Sequence, residues 1–377
     1  MVLDDLLTPA LLLDVDVLDR NLSRMQNKVR TLGSTLRPHI KTHKCVEIGN
    51  RQRELGARGI TVSTFFEAEQ FAAAGFTDIT WAFPLPPVYA ELAAKLARRV
   101  NLQVVLDSRE AQDSLEKACI ATGVSIHVWL KVDCGYHRAG VDPGSPFAEE
   151  LVRSLSESKT LLFDGILSHS GHAYHATSRE DILEVANQER DVMVGFAKRM
   201  RRQGHKVPSV SIGSTPSLSV IENLDGVSEV RPGNYCFYDQ TMVDLGVCNL
   251  EDCAVTVLST VVSHQKDASH FVVDAGALAL SKDTGLPKNS PQPSMGSLFE
   301  SYEKKNLNRH LVLKTLSQEH GKVVALRPSE IEGGFHVGDK VRILENHSCL
   351  TVAHFDHYNV VRGNKVIDRW KILRGRL

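Results

Sequence analysis

Leu36-Arg37-Pro38-His39-Ile40-Lys41-Thr42-His43-Lys44 alternates apolar and basic side chains in the manner of one short strand. Alternation puts Leu36, Pro38 and Ile40 on one face and Arg37, His39 and Lys41 on the other. A lysine pointing where an arginine and a histidine also point is odd as plain core. Burial and neighbouring cations both lower a lysine pKa. A lysine held that way is a nucleophilic amine, able to form a Schiff base. By itself the stretch also reads as a solvated basic edge strand.

Outward from it the chain alternates. An apolar strand over 10–15 precedes it, and Asp16 is placed to cap a helix to about Leu32, with Val17, Leu18, Leu22, Met25 and Val29 on its buried stripe. After it, apolar strands recur at 59–64, 78–83, 102–107, 125–133, 163–170, 209–214 and 228–233. Helical stretches at 46–55, 67–74, 88–97, 109–122, 147–157 and 179–202 separate most of them. Near-continuous apolar strands between helices mean a parallel sheet covered on both faces. Eight such units predict an α/β fold, a (β/α)8 TIM-like barrel. The competitor is an open doubly wound sheet, but no G-x-G-x-x-G follows the first strand.

After Asp239 the texture changes. Strands at 255–262, 270–274, 340–344 and 366–372 follow without long helices, and 282–297 reads as an irregular loop. A second, mostly β domain is expected. The predicted limits are 1–16 for an N-terminal segment packing with the β domain, 17–245 for the barrel and 246–377 for the β domain. The chain has 377 residues, 42% hydrophobic and 24% charged, with a net charge of −1. That balance argues against nucleic acid as a partner. No apolar run approaches a membrane span, and the start lacks a signal-peptide pattern. Seven scattered cysteines make no disulfide framework and fit a reducing cytoplasm.

In such barrels the active site lies at the C-terminal ends of the strands. There the sequence puts Lys41 and His43; Ser63 and Thr64; Asp133, Cys134, His137 and Arg138; and His169, Ser170, His172 and Tyr174. Gly213-Ser214-Thr215 ends the seventh strand and Gly233-Asn234 follows the eighth. Small and hydroxylated residues after strands seven and eight suit a phosphate. A lysine on strand one with that cup suggests pyridoxal 5′-phosphate, attached at Lys41. In the second domain, Asn346-His347-Ser348-Cys349 puts an imidazole and a thiol two residues apart, on one face if the segment is a strand. That pair suits Zn²⁺ with open positions for substrate or water; packing is the alternative. Gln318-Glu319-His320-Gly321 is another polar cluster there.

Together, residues 37–44, Ser211-Ile212-Gly213-Ser214-Thr215-Pro216, Arg231-Pro232-Gly233-Asn234-Tyr235 and Asn346-His347-Ser348-Cys349 resemble the metal-activated D-serine dehydratase and D-threonine aldolase family. The resemblance runs from Thr8 to Trp370. It implies the alanine-racemase-like fold type III of pyridoxal-phosphate enzymes, a head-to-tail homodimer, and a D-amino acid as substrate. It also implies Arg138 at the cofactor's phenolic oxygen, Tyr174 at its ring, His169 among its contacts, and Gly213, Ser214, Thr215, Gly233 and Asn234 about its phosphate. His347 and Cys349 become zinc ligands, and His-x-Cys resembles the dehydratase branch, where aldolases resemble His-x-Asp. Glu345 and Leu350 depart from the family pattern beside that motif. The expected activity is elimination of water from D-serine or D-threo-3-hydroxyaspartate. Retro-aldol cleavage of D-threonine or 3-hydroxy-D-aspartate, racemisation, and a non-catalytic regulatory role are the alternatives.

Overall fold

Eight short parallel strands form one sheet that curls until its ends meet. They are β2 (Thr35–Leu36), β3 (Ile60–Val62), β4 (Asp78–Pro84), β5 (Asn101–Leu106), β6 (Ile126–Lys131), β7 (Leu161–Leu167), β8 (Ser209–Ile212) and β9 (Glu229–Val230). Each pairs with its sequence neighbour from β3 round to β9, and β9 pairs with β2. The remaining joint is thin. His39 bridges Thr61, Ile40 N–H donates to Thr61 C=O (2.9 Å), and Thr61 N–H donates to Pro38 C=O (2.8 Å). This is the expected barrel. A computed structural model of the chain describes residues 1–265, 269–285, 292–327, 331 and 334–376.

The helices start where the sequence offers a cap. The hydroxyls of Thr64, Ser108, Ser145 and Ser178 each accept the N–H three residues on, opening Phe65–Ala73, Arg109–Thr122, Pro146–Glu157 and Arg179–Arg202. The first helix, Val15–Thr31, buries all five predicted stripe residues. Its cap is Asp14, whose Oδ1 accepts Val17 N–H at 3.2 Å, and not Asp16.

The expected strand over 36–41 needs a larger correction. β2 ends at Leu36, and Pro38 has no N–H to continue a ladder. At Ile40 the chain turns: its carbonyl accepts the N–H of His43 (3.1 Å) and of Lys44 (2.8 Å). Lys41 therefore rides on a turn at the strand's C-terminal end.

Arg37 shows what fills the barrel. Its guanidinium donates to Glu229 Oε2 (2.6 Å) and to both Asp78 oxygens (2.5 and 3.3 Å). Gln103 donates to Asp78 (2.8 Å) and accepts from Thr80 (2.9 Å) and Trp129 (2.8 Å); Ser211 donates to Glu229 (2.8 Å). These strands thus meet in a hydrogen-bonded polar layer, next to an apolar one of Ala82, Val105, Trp129 and Leu167. Losing one partner of a buried pair strands the other charge. Arg37→Ala is therefore expected to destabilise by about 3–5 kcal/mol, read as a lowered denaturant midpoint.

Packing divides the chain into two units. One is Arg24–Gly233 with the C-terminal residues from Gly375, and the other is Met1–Ser23 with Asn234–Arg374. The sequence places these limits at 16 and 245. The second unit holds a ten-stranded sheet. In it β1 (Ala10–Asp14) lies antiparallel to β10 (Val255–His264) and parallel to β17 (His357–Arg362). β10 also pairs with β11 (His270–Val273) and β16 (Lys340–Leu344), and β17 with β18 (Lys365–Lys371). The sequence reading omits β12 (Ser297–Ser301), β13 (Asn306–Leu307), β14 (Leu311–Leu316), β15 (Gly321–Ala325) and β17. They are short or carry polar residues where alternation would put core. The cluster at 318–321 is the β14–β15 turn, where Ser317 N–H donates to His320 C=O (2.9 Å). Of the expected loop over 282–297, residues 286–291 lie outside the described residues.

Candidate active site

Lys41 is half-buried on its turn. Its N–H lies 3.4 Å from His39 Nδ1, and His39 Nε2 lies 3.4 Å from Ser63 Oγ. Desolvation, then the charges of Lys41, Arg231 and His169, hold the His39 imidazole well below its ordinary pKa. His169, at the end of β7, is lowered the same way by desolvation, then by Lys41, Lys131 and Arg138. Its Nδ1 lies 3.4 Å from Gly213 C=O. Both rings are neutral at pH 7. Lys131 ends β6; burial and then Arg231 bring it down to about 7. Burial lowers Arg231 to about 10, and it donates to Ser211 Oγ and Ser168 C=O.

The barrel's strand ends thus gather Lys41, Lys131, Arg138 and Arg231 around two neutral imidazoles. Of the nearby carboxylates, Glu189 is committed to Ser168 (2.7 Å), Ser170 (2.6 Å) and Gly213 N–H (3.2 Å), and Glu229 to Arg37 and Ser211. A surplus of cations suits an anionic group, and a phosphate-bearing aldehyde fits it. Lys44 is not a rival amine, because its ammonium is ion-paired with Glu67. His43 is a core residue: burial takes it to about 3, and it bonds to Gln52 at 3.3 Å.

The residues of the predicted phosphate cup have the following surroundings. Gly213 has φ +112°, and a Cβ there would lie 2.4 Å from Leu218 Cδ2. Its N–H goes to Glu189 Oε1 at 3.2 Å. Ser214 caps the short helix Thr215–Val220, accepting Ser217 N–H at 3.4 Å, and Thr215 is buried at that helix's start. Gly233 follows β9, where a Cβ would stand 3.0 Å from His39 C=O. Asn234 belongs to the other unit. Its amide nitrogen donates to Asp239 (2.6 Å) and Ser348 (2.9 Å). Arg138 is exposed and lies over the Tyr136 ring, and Tyr174 is half-buried in the 3-10 turn Gly171–His175.

In the second unit His347 and Cys349 are not on a strand. β16 ends at Leu344, and His347 precedes the helix Ser348–Val352, which carries Cys349. The two side chains still meet in a hydrogen bond. His347 Nδ1 lies 2.7 Å from Asp283 Oδ2. Burial would lower His347, but Cys349, Asp239 and Asp283 outweigh it and raise it to about 10. A carboxylate on one ring nitrogen orients the other toward a metal. Among the described residues no group of three or more His, Cys, Asp or Glu could hold an ion. Imidazole and thiolate would supply two ligands, leaving positions for water or substrate. Sequence reasoning missed Lys131 and Arg231, which the strand-end rule could have found. It also missed Asp283, which no spacing announces.

A lysine-bearing (β/α)8 barrel followed by a β domain is the alanine-racemase-like fold, and that fold fits pyridoxal phosphate. Residues 13–241 match the alanine racemase N-terminal domain family, and 254–361 match a serine dehydratase domain family. The D-threo-3-hydroxyaspartate dehydratase of Delftia sp. (strain HT23) is 37% identical over 98% of this chain and 97% of its own. Its solved structure superposes with a TM-score of 0.93 over 99% of both chains, at 37% identity. One structure of a D-threo-3-hydroxyaspartate dehydratase is a cysteine-to-alanine mutant in the metal-free form. The D-serine dehydratase of Dictyostelium discoideum is also 37% identical, over 98% of this chain and 97% of that one. The D-threonine aldolase of Filomicrobium marinum has a TM-score of 0.87 at 28% identity, covering 98% of this chain and 96% of that one. The chain belongs to the D-serine dehydratase family of alanine-racemase-fold enzymes. Among the described residues no helix is long and apolar enough to cross a membrane.

Proposed function

We propose that this enzyme is a pyridoxal-phosphate- and zinc-dependent dehydratase that removes water from a D-β-hydroxy amino acid such as D-serine or D-threo-3-hydroxyaspartate. The observation that carries the reading is His347 and Cys349 in mutual contact, with Asp283 behind the imidazole, in a chain 37% identical end to end to two dehydratases. Pyridoxal phosphate, when bound, supplies an electron sink for the Cα carbanion. Zinc on His347 and Cys349 supplies Lewis acidity for hydroxide, a poor leaving group.

The chain's own groups do the rest. Lys41 would hold the cofactor when it is bound, and its amine, when free, is the group placed to take the Cα proton. Arg138 and Arg231 offset the cofactor's negative charge, and His169, kept neutral, adds no repulsion to a cation. Ser214 and Thr215 offer hydroxyls for its phosphate. The enamine released hydrolyses to a 2-oxo acid and ammonia. The family resemblance supports a head-to-tail homodimer. All seven cysteines are free thiols, which supports a cytoplasmic setting.

One assay tests this. D-Serine, D-threo-3-hydroxyaspartate and D-threonine are supplied with and without a strong chelator, and ammonia and glycine are scored. Ammonia from D-serine or the hydroxyaspartate, lost on chelation, is the expected result. Glycine with an aldehyde would make the enzyme an aldolase instead.

A further inference from the structure

Tyr136, in the loop after β6, has no role in the reading above, yet three side chains of the barrel-end site lie against its ring. The Arg138 guanidinium carbon stands 5.1 Å from the ring centroid. His172 stacks on the ring at 5.9 Å with 27° between the planes. His169 meets it edge-on at 6.1 Å and 80°. The backbone is pressed close as well: a Cβ on Gly171 would stand 2.2 Å from Tyr136 Cε1. Only glycine lets the 3-10 turn approach the ring this closely.

What else holds these three groups is little. Both ring nitrogens of His172 are buried and without a hydrogen-bond partner among the described residues. Among the described residues the His169 ring has a long 3.4 Å contact to Gly213 C=O. Arg138 is exposed, and its contact with Tyr136 is a cation–π one. Exposed arginines are conformationally free unless something fixes them. Here an aromatic face does so, and the same face sets the tilt of two imidazoles.

We propose that Tyr136 is a positioning residue, whose ring orients Arg138 and His169 toward the bound cofactor. This rests on the reading that the barrel end binds pyridoxal phosphate. The ring face carries the role and the phenol oxygen does not, so Tyr136→Phe and Tyr136→Leu separate the two.

The test measures cofactor affinity by titration of the cofactor-stripped protein, together with the absorbance maximum of bound pyridoxal phosphate. Tyr136→Phe is expected to match wild type in both. Tyr136→Leu is expected to weaken affinity about two- to fivefold, the scale of one exposed cation–π contact, and to shift the absorbance band. A purely structural role would lower the thermal midpoint and leave the band in place. Should Tyr136→Leu fail to fold, Gly171→Ala, which displaces the same ring, carries the same expectation. A folded Tyr136→Leu protein with wild-type affinity and band overturns the proposal. So does Tyr136→Phe behaving as badly as Tyr136→Leu. A wild-type protein that takes up no pyridoxal phosphate would sink the functional reading instead, and is recognised before any variant is made.

Discussion

Lys41→Ala is expected to lose all covalent uptake of pyridoxal phosphate and to lower turnover by at least about 10⁴-fold, since one side chain is both attachment point and base. Borohydride reduction followed by peptide mapping reads the first effect, and ammonia release reads the second. The rival amines differ in how well they could substitute. Lys44 is tied to Glu67. Lys131 is the serious rival, because burial and Arg231 bring it to about 7, leaving much of it neutral and nucleophilic at physiological pH. An adduct mapping to Lys131 in the wild-type protein would move the centre of the site to the end of β6.

The second large effect is at the metal. His347→Ala or Cys349→Ala should empty the site of zinc and cut elimination by roughly 10²-fold or more, the scale of Lewis-acid assistance worth several kcal/mol. Asp283→Ala should act through the imidazole and weaken zinc binding by about 10–100-fold. Cys349→Asp replaces a soft ligand with a hard one and should shift preference toward Mn²⁺ or Mg²⁺. Metal analysis and competition with a chromophoric chelator measure all three. Cofactor uptake should persist throughout, because Lys41, Arg231, Ser214 and Thr215 lie in the Arg24–Gly233 unit. Fully active wild-type protein free of zinc would return His347 and Cys349 to ordinary packing.

Much of the barrel was legible because its strands are apolar runs punctuated by helices with hydroxyl caps. Every strand from β2 to β9 falls in or at the edge of a stretch read that way. Lys41 stood out by residue type, although the strand assigned to it is a turn. That misreading came from trusting alternation past Pro38, where the ladder loses a donor. The His347–Cys349 pairing was legible from spacing, but for the wrong local structure: a helix start brings residues two apart into contact as a strand face was expected to. The partner of Gly213 was not legible, since nothing in Gly-Ser-Thr says that a glutamate 24 residues earlier takes its N–H. The β domain was least legible. Its shorter strands, such as Gly321–Ala325, which pairs on one side with the hairpin neighbour β14 and on the other with the sequence-distant β11, are set by tertiary context as much as by local pattern.

The polar layer inside the barrel bears on how this sequence can change over time. Arg37, Asp78, Glu229 and Ser211 form one hydrogen-bonded chain that reaches Arg231, a cation of the site. Replacing one member isolates a charge, whereas replacing several together by apolar groups of matched volume is often neutral or stabilising. Single and multiple substitutions here therefore disagree in sign, which is strong epistasis. A lineage can leave this arrangement only by concerted change, and Arg231 would then rest on a different support.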